Sequence, residues 1–260
     1  MNRKLFLTWQ DKKSRQWFPI GQLTHDGGLY HFVYLKGALQ ARDEAGFQPV
    51  VSFPDFREIY EAEELFPMFA NRVMPASRPE YQQTIEYLSL PHNENDPLAF
   101  LARSGGAKVT DTFEVFSYPQ TNREGNYELK FFAHGLRYLP PSSLERLARM
   151  RRGERIYLAH AFQNRFETNA LLLQTPDNYI VGFCPSYLLD DMDLMRRHQD
   201  KEIEVCVERV NDESAPLQFR FLCRLTFPQM PNYQPFTTVS YQPVVSEARR
   251  LTHSAELSFA

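Results

Sequence analysis

The chain has 260 residues, of which 43% are hydrophobic and 14% aromatic. This length and composition predict a folded protein with one large or two small domains, and we favour two. The formal net charge of −3 argues against broad electrostatic coating of duplex DNA, because non-specific binding relies on many phosphate contacts. Any contact with nucleic acid must therefore be local.

Charge is distributed unevenly along the sequence. Residues 54–96 hold nine acidic residues and three arginines, a net charge of −6. Residues 130–160 hold seven basic and two acidic residues, a net charge of +5, with a basic patch formed by Arg146, Arg149, Arg151, Arg152 and Arg155. Such a run is either a solvated surface or an anion-binding patch beside Arg137.

The cysteines indicate a reducing compartment. Cys184, Cys206 and Cys223 are odd in number and widely spaced, and they lie in apolar, strand-like sequence without metal-ligand spacing. We expect reduced thiols in the core and no metal or other cofactor. No segment approaches about 18 consecutive apolar residues, so we expect a soluble cytoplasmic protein.

The first half of the chain predicts a small antiparallel sheet with helices. Residues 4–10, 17–23 and 29–35 are strand-like, and the turn Asp26-Gly27-Gly28 joins the last two as a hairpin. The pattern then predicts helices over 56–69, 79–90 and 96–103 and a strand over 112–118. We place a domain boundary in the polar turn 119–126.

The second half predicts a small, curved sheet or partly open barrel with short connections. Strands are expected over 127–136, 156–162, 170–175, 179–183, 202–210 and 217–227. Helices are expected from Ser142 or Ser143 to near Gly153 and over 185–198. The chain thus divides into an α+β module (1–126), a barrel (127–228) and an extended tail or strap (229–260).

The residues best suited to chemistry lie near strand ends of the second half. They are Gly135-Leu136-Arg137-Tyr138, Asn164-Arg165-Phe166-Glu167-Thr168-Asn169-Ala170 and Gly182-Phe183. Together they supply a guanidinium, aromatic faces and a carboxylate. This combination suits an unpaired nucleotide, since a base stacks on an aromatic ring whatever its identity.

These motifs resemble the HIRAN domain, a modified OB-type β-barrel found in DNA-repair remodellers and in free-standing bacterial proteins. The resemblance covers residues 130–227 and includes Gly153-Glu154 and Gly182-Phe183-Cys184-Pro185. It implies a pocket for the 3′ end of single-stranded DNA, in which Arg137 contacts phosphate and Glu167 accepts a hydrogen bond from the 3′-hydroxyl. The resemblance also implies that Tyr138 and Phe166 stack on the terminal bases. Asn164, Phe183 and Phe227 complete the predicted set of DNA-binding residues.

Two positions depart from the family pattern, and other roles remain open. Phe166 stands where the family has tyrosine, and Glu167 where it has aspartate. Arg137 could instead pair with an acid, and the aromatic rings could belong to the barrel core. Asn164 and Asn169 could be turn residues that bond their own backbone and shape the loop.

The first half resembles the N-terminal subdomain of the HipA family. The resemblance rests on Gly21-Gln22-Leu23-Thr24, on Val50-Val51-Ser52-Phe53-Pro54 and on residues 29–34 and 65–72. It implies an interaction module, because the chain has no glycine-rich phosphate loop and no metal-binding Asp/Asn pairing of kinase type. The acidic segment 55–64 could dock a basic partner or be a solvated surface.

Enzymatic alternatives have weaker support. A nuclease-like Pro54-Asp55 and Glu128-Leu129-Lys130 are more than 70 residues apart across the predicted boundary. The histidines form no motif with the cysteines, and His134 is expected to be structural or a minor phosphate contact. The sequence therefore predicts a non-enzymatic, bacterial-type protein that binds single-stranded DNA within a DNA-processing, defence or toxin–antitoxin assembly; the alternative is a protein-interaction or regulatory subunit whose barrel has lost DNA binding.

Overall fold

The structure, a computed structural model, describes residues 3–164, 167, 169–198, 203–230 and 233–245. A five-stranded antiparallel sheet comes first, with the strand order β4-β3-β2-β1-β5. Its strands are β1 (Arg3–Gln10), β2 (Trp17–Asp26), β3 (Leu29–Tyr34), β4 (Ile59–Ala62) and β5 (Phe113–Ser117). Four helices accompany this sheet: α1 (Lys36–Ala45), α2 (Pro67–Ala70), α3 (Tyr81–Tyr87) and α4 (Pro97–Ser104).

Local sequence signals explain much of this sheet. Gly27 and Gly28 adopt φ values of 58° and 86°, which a two-residue hairpin turn between twisted strands requires. Asp96 caps α4 by accepting a hydrogen bond of 2.8 Å from the backbone N–H of Leu98, and Pro97 fits the first helical turn because it lacks an N–H. The predicted hairpin and the predicted helices near α3 and α4 are confirmed.

The prediction of a helix over 56–69 is wrong. Its first part forms β4, which pairs with β3 at the edge of the sheet, and only Pro67–Ala70 is helical. Proline can begin a helix but cannot sit inside one, and charged side chains are tolerated on an edge strand that faces water. Helix α1 was not predicted from the sequence, and its buried residues are small: Gly37, Ala38 and Ala41.

The second sheet has the order β10-β9-β8-β11-β12-β7-β6. Its strands are β6 (Gln120–Thr121), β7 (Tyr127–Phe132), β8 (Arg155–His160), β9 (Leu171–Gln174), β10 (Ile180–Phe183), β11 (Glu204–Val210) and β12 (Phe221–Phe227). Helix α5 (Pro141–Ala148) begins at Pro141 without a side-chain cap, so the predicted Ser142 or Ser143 cap is wrong. Helix α6 (Leu189–His198) follows a single 3-10 turn, Ser186–Leu188.

A bridge beyond the end of β7 closes this sheet into a barrel. The backbone N–H of His134 donates to the carbonyl of Phe183 at 2.9 Å, and the N–H of Phe183 donates to the carbonyl of His134 at 2.9 Å. The bridge joins β7 to β10, which are otherwise far apart in the strand order. Closing a sheet into a barrel pairs strands from its two ends, and here one bridge makes that connection. The predicted α+β class with a small barrel is confirmed.

The two sheets share a hydrophobic core. Phe6 and Phe116 of the first sheet pack in the same cluster of buried residues as the barrel interior. The ring of Phe116 stacks on that of Tyr187 with centroids 4.0 Å apart. Along the chain the first sheet ends with β5 and the second begins with β6, which lies inside the segment 119–126 predicted as a turn, while the side chains of the two sheets form a continuous core.

The segment 233–245 ties the halves together as a strap. Tyr233, Phe236 and Tyr241 are buried in the shared core. Further along, the N–H of Val244 donates to the carbonyl of Tyr34 at 2.9 Å, so the strap ends against β3. An aromatic side chain buries a large apolar area, so three of them give this irregular segment a firm hold.

Asp191 of α6 anchors the strap. Its Oδ1 accepts a hydrogen bond of 2.6 Å from the Tyr233 hydroxyl and one of 2.8 Å from the backbone N–H of Phe236. The residue is only 2% exposed, and its other oxygen, Oδ2, has no hydrogen-bond partner. Burial raises the pKa of Asp191 to about 6, although the Tyr233 and Phe236 hydrogen bonds oppose this rise.

The strap should therefore make stability depend on pH. A carboxyl group whose pKa is about 6 in the fold and about 4 when unfolded stabilises the folded state fully below the unfolded pKa, and this contribution is lost as the pH rises through 6. We expect the free energy of unfolding of the wild type, measured against Asp191→Asn by urea denaturation, to fall by about 2–3 kcal/mol between pH 4 and pH 7.

Tyr233→Phe supplies a second test of the same interaction. It removes a donor to the carboxylate, so the pKa of Asp191 should rise further and the transition should move to higher pH. Parallel pH profiles for the wild type and Asp191→Asn would contradict the role given to this carboxyl group.

Candidate nucleic-acid interface

The barrel closure brings three separate segments to one edge. Across the sheet, His134 lies opposite Phe183, Phe183 opposite Leu172 and Leu172 opposite Ala159. Neighbouring strands lie about 5 Å apart, so this row spans roughly 15 Å. The Gly135 turn follows directly after His134, and the loop 161–170 joins β8 to β9 beside the same row. Gly135, Phe183 and the two ends of the loop 161–170 therefore lie along this edge.

Gly135 is required by the close approach of Phe183. Its φ is 74°, a left-handed conformation that favours glycine, and a Cβ placed there would lie 2.6 Å from Cδ2 of Phe183. The following 3-10 turn, Leu136–Tyr138, buries Leu136 and exposes its other two residues. The packing of Phe183 and Leu136 thus fixes the turn that presents Arg137 and Tyr138.

Arg137 and Tyr138 form a stacked pair on the surface. The guanidinium carbon of Arg137 lies 4.7 Å from the centroid of the Tyr138 ring. The ring is 69% exposed, although aromatic side chains are normally buried. Tyr138 is therefore not a core residue of the barrel, and the pair offers an accessible ring beside a positive charge.

Hydrogen bonds within the loop 161–170 hold several of its described residues. The N–H of Ala161 donates to the carbonyl of Ala170 at 2.8 Å and closes the base of the loop. Inside it, Oδ1 of Asn164 accepts a hydrogen bond of 3.1 Å from the backbone N–H of Glu167. The turn role considered for Asn164 is thus the one observed, and its oxygen positions Glu167. Phe166, predicted to stack on a base, lies outside the described residues.

Glu167 has an acidic environment. Burial and the charge of Asp190 raise the pKa of its carboxyl group, and a hydrogen bond from the backbone N–H of Asn169 opposes this rise. The pKa of Asp190 is itself raised, by burial and by Asp193. A further negative charge at this place would add repulsion, whereas a hydroxyl group that donates a hydrogen bond would not.

Phe162 is a surface aromatic residue that the sequence analysis missed. It lies in the same loop, is 90% exposed, and its ring centroid is 5.5 Å from that of His160. The sequence pattern continued strand β8 to this residue, which hid its position in the loop. An exposed phenylalanine beside the Glu167 loop is a candidate stacking surface.

Phe227 requires a correction. It was predicted to contact DNA, but it is 2% exposed and its ring packs between those of Tyr127 and Tyr233. It pairs with Tyr127 at the far end of β7, seven residues before His134, a distance of roughly 20 Å along an extended strand. The burial of one apolar face of β12 makes Phe227 a core residue.

The predicted basic patch divides into different environments. Arg146 is neutralised by Asp177, whose Oδ2 lies 2.8 Å from its Nε, and by Glu154. The side chains of Arg149 and Arg152 are 78% and 72% exposed. Arg151 is exposed as well, and Arg155 is exposed with its guanidinium 5.4 Å from the Tyr157 ring centroid. Arg146 is therefore structural, and the other four are accessible.

A buried carboxylate gathers cations on the outer face of the barrel. Glu208 lies 2.8 Å from Nζ of Lys130, 3.1 Å from a guanidinium nitrogen of Arg152 and 4.0 Å from one of Arg224. Burial raises the pKa of Glu208, but these three cations outweigh it and the net pKa is lowered. Lys130 also lies 3.9 Å from Oε1 of Glu128, so three positive charges face two carboxylates here.

His134 joins the site to the first sheet. Its Nε2 lies 3.2 Å from Oε1 of Glu114 on β5. Burial lowers the pKa of His134, but the Glu114 carboxylate outweighs it and the net pKa is raised. Of the two roles considered for His134, the structural one accounts for this ion pair.

The remaining candidate chemistry is limited in the part of the chain that the structure describes. The three cysteines are unpaired and buried, as predicted. No group of three or more His, Cys, Asp or Glu residues is placed to hold a metal ion among these residues. No helix within the same ranges is long and apolar enough to cross a bilayer.

Two solved structures resemble part of the chain. A structural-genomics protein from Lactobacillus plantarum is 18% identical and covers 39% of this chain and 96% of its own, with a TM-score of 0.32. The HIRAN domain of human HLTF is 19% identical and covers 38% of this chain and 74% of its own, with a TM-score of 0.30. No protein-family model and no curated protein matches the chain. The likeness is a weak one of fold, so function is argued from the residues.

The packing of Phe183 on Gly135 can be tested by adding one methyl group. Gly135→Ala should lower the free energy of unfolding by about 2–4 kcal/mol, because the left-handed backbone and the overlap with Phe183 both cost energy. Gly153→Ala is the matched control, since Gly153 has a φ of 84° but no heavy atom within 4 Å of the added Cβ. It should cost only about 1 kcal/mol. Denaturant titration measures both.

The double variant Gly135→Ala/Phe183→Ala separates the two causes. Removing the ring should recover the overlap part of the loss, so the two substitutions should not be additive. Equal losses in Gly135→Ala and Gly153→Ala would show that Phe183 does not constrain the turn.

Proposed function

We propose that the protein is a non-enzymatic binder of single-stranded DNA that recognises the 3′ end through a HIRAN-like pocket. The observation that carries the proposal is the meeting of the Arg137-Tyr138 turn, Phe183 and the Glu167 loop at the closure of the barrel. Together these segments would contact the three groups that a strand end presents, namely a phosphate, a base and the terminal hydroxyl.

Affinity would come from stacking and from local positive charge. The exposed Tyr138 ring accepts a base, and the Arg137 guanidinium beside it contacts the adjoining phosphate. Stacking contributes about 1–3 kcal/mol per base without regard to sequence. Phe162 is a second exposed ring in the neighbouring loop. A net-acidic protein can bind this way because few phosphates are contacted.

End selectivity would come from the acidic group. The Glu167 carboxylate accepts a hydrogen bond from a 3′-hydroxyl, whereas a 3′-phosphate meets the charges of Glu167 and Asp190. Rejection by repulsion is an effective source of specificity. Because the pKa of Glu167 is raised, preference for the free hydroxyl should weaken as the pH falls and this carboxyl group becomes protonated.

The biological setting is part of the proposal. The first sheet, with its HipA-like motifs and acidic segment 55–64, fits a docking module for a basic protein partner. We place the protein in the cytoplasm, within a DNA-processing, defence or toxin–antitoxin assembly. A regulatory subunit without DNA binding is the alternative, and the experiment below distinguishes the two.

The proposal predicts a hydroxyl-dependent interaction. Fluorescence anisotropy with a short single-stranded DNA that has a free 3′-hydroxyl should show binding, and a 3′-phosphate should weaken it. Tyr138→Ala should raise the Kd by roughly 5-fold to 150-fold, the loss of one stacked base. Arg137→Ala should also weaken binding and reduce the slope of log K against log salt by about 0.7. Glu167→Gln should reduce the discrimination between the two ends.

The matched control is Arg123→Ala. Arg123 is an exposed arginine in the β6–β7 turn, at the opposite end of β7 from His134, so its loss should leave the Kd unchanged. Equal affinity for both ends would remove end reading from the proposal. Failure of the wild type to bind either oligonucleotide at low salt would favour the protein-interaction subunit.

A further inference from the structure

The outer face of β8, β9 and β10 carries exposed aromatic and apolar side chains. Ile156, Leu171 and Leu173 point into the barrel core, so the alternate residues face outward. Tyr157 lies opposite Gln174, and Gln174 lies opposite Ile180. Tyr157 is 47% exposed and Ile180 is 37% exposed. This row is a ready surface for an apolar or aromatic ligand.

This row is continuous with the proposed end pocket. The next outward row along the same strands is Ala159, Leu172 and Phe183, and Phe183 packs against Gly135. Residues two apart on a strand are about 6–7 Å apart, so the two rows are neighbours. Ala159 and Leu172 are small or medium-sized, and the path from Phe183 to Tyr157 crosses them.

On the outer face of the barrel, positively charged side chains lie next to Tyr157. Arg155 lies two residues before Tyr157 on the same face, with its guanidinium 5.4 Å from the Tyr157 ring centroid. Across the sheet Arg155 faces Cys206, Cys206 faces Arg224, and Arg224 faces Lys130. The outer face thus passes from aromatic side chains to a row of cations.

The charge of this face favours a polyanion. β8, β9 and β10 contain no acidic residue. Further along, Lys130, Arg152 and Arg224 face two carboxylates, Glu208 and Glu128, the second 3.9 Å from Nζ of Lys130, which leaves one positive charge in excess. Alternation of an aromatic ring with a guanidinium fits the alternation of base and phosphate in a single strand.

We propose that a single strand longer than the end pocket continues over the outer face of β8–β10, with a base stacked on Tyr157 and a phosphate at Arg155. The strand would then run toward Arg224 and Lys130. This inference rests on the proposed function and extends it, since it makes the protein a reader of a 3′ end together with the adjoining single-stranded tract. Duplex DNA does not fit, because its bases are not free to stack.

The test compares oligonucleotides of two lengths. A thymidine trinucleotide fills only the end pocket, whereas a thymidine 12-mer also reaches Tyr157; both carry a free 3′-hydroxyl and compete with a labelled 12-mer in fluorescence anisotropy. The wild type should bind the 12-mer roughly tenfold to a hundredfold more tightly. The double variant Arg155→Gln/Tyr157→Ala should lose most of this advantage and bind the trinucleotide as the wild type does. Its salt slope for the 12-mer should fall by about 0.7.

Two further variants secure the result. Lys13→Gln/Val51→Ala also removes one cation and one exposed apolar side chain, from the β1–β2 turn and the loop after α1, and should keep the length advantage. Tyr157→Phe keeps the ring and should bind the 12-mer like the wild type. Thermal unfolding of each variant confirms that the fold is retained.

The outcomes separate this inference from the proposed function. If the wild type binds both lengths equally, or if Arg155→Gln/Tyr157→Ala keeps the full preference for the 12-mer, the inference that a single strand continues over β8–β10 is overturned. The proposed end pocket is not affected by that result. If the wild type binds neither oligonucleotide, the proposed function fails, and the inference of a strand over β8–β10 fails with it.

Discussion

The pairing of His134 with Phe183 is the contact on which the candidate site depends. It joins residues 49 positions apart, and its two hydrogen bonds convert an open sheet into a closed barrel. The same contact sets Phe183 against Gly135, which aims Arg137 and Tyr138 away from the core. Because an unpaired backbone group is costly to bury, closure and site geometry are maintained together. The interface is a consequence of how the barrel ends its sheet.

Support for that edge comes from both halves of the molecule. The Glu114 carboxylate holds His134 from the first sheet, and the strap crosses the shared core to β3. Phe116 stacks on Tyr187, which lies just before the helix that carries Asp191. A partner bound to the first sheet would therefore touch the same packed core that supports the interface. Energetic coupling between such a partner and the candidate interface would need an element that can adopt two arrangements. The strap, which is anchored by the buried carboxyl group of Asp191, is the candidate for that element.

Sequence reasoning succeeded where the determining chemistry is local. The glycines of the β2–β3 turn and the Asp96-Pro97 helix start are readable because each acts on its own neighbours. The prediction that Phe227 contacts DNA was wrong because alternation along β12 shows which residues share a face but not which face is buried. The other residues on the face of Phe227 are apolar, and this was the available signal that the face is buried. Arg146 was taken as a free cation because Asp177 is 31 residues away in sequence. The outer cation row is invisible to sequence for the same reason, since strand register brings Lys130, Arg224 and Arg155 together.

The net negative charge of the chain is consistent with the proposed recognition of a DNA strand end. A protein that coats nucleic acid gains affinity from every phosphate and cannot easily tell one position from another. At the candidate interface, Glu167 and Asp190 are close enough for the charge of Asp190 to raise the pKa of Glu167. In the proposed function, stacking would supply affinity for any unpaired base, while the acids would penalise a terminal phosphate and any misplaced backbone. Net negative charge elsewhere, concentrated in residues 54–96, further weakens non-specific association. The proposed selectivity for a strand end would therefore depend on this low positive charge as much as on the residues proposed to bind the end.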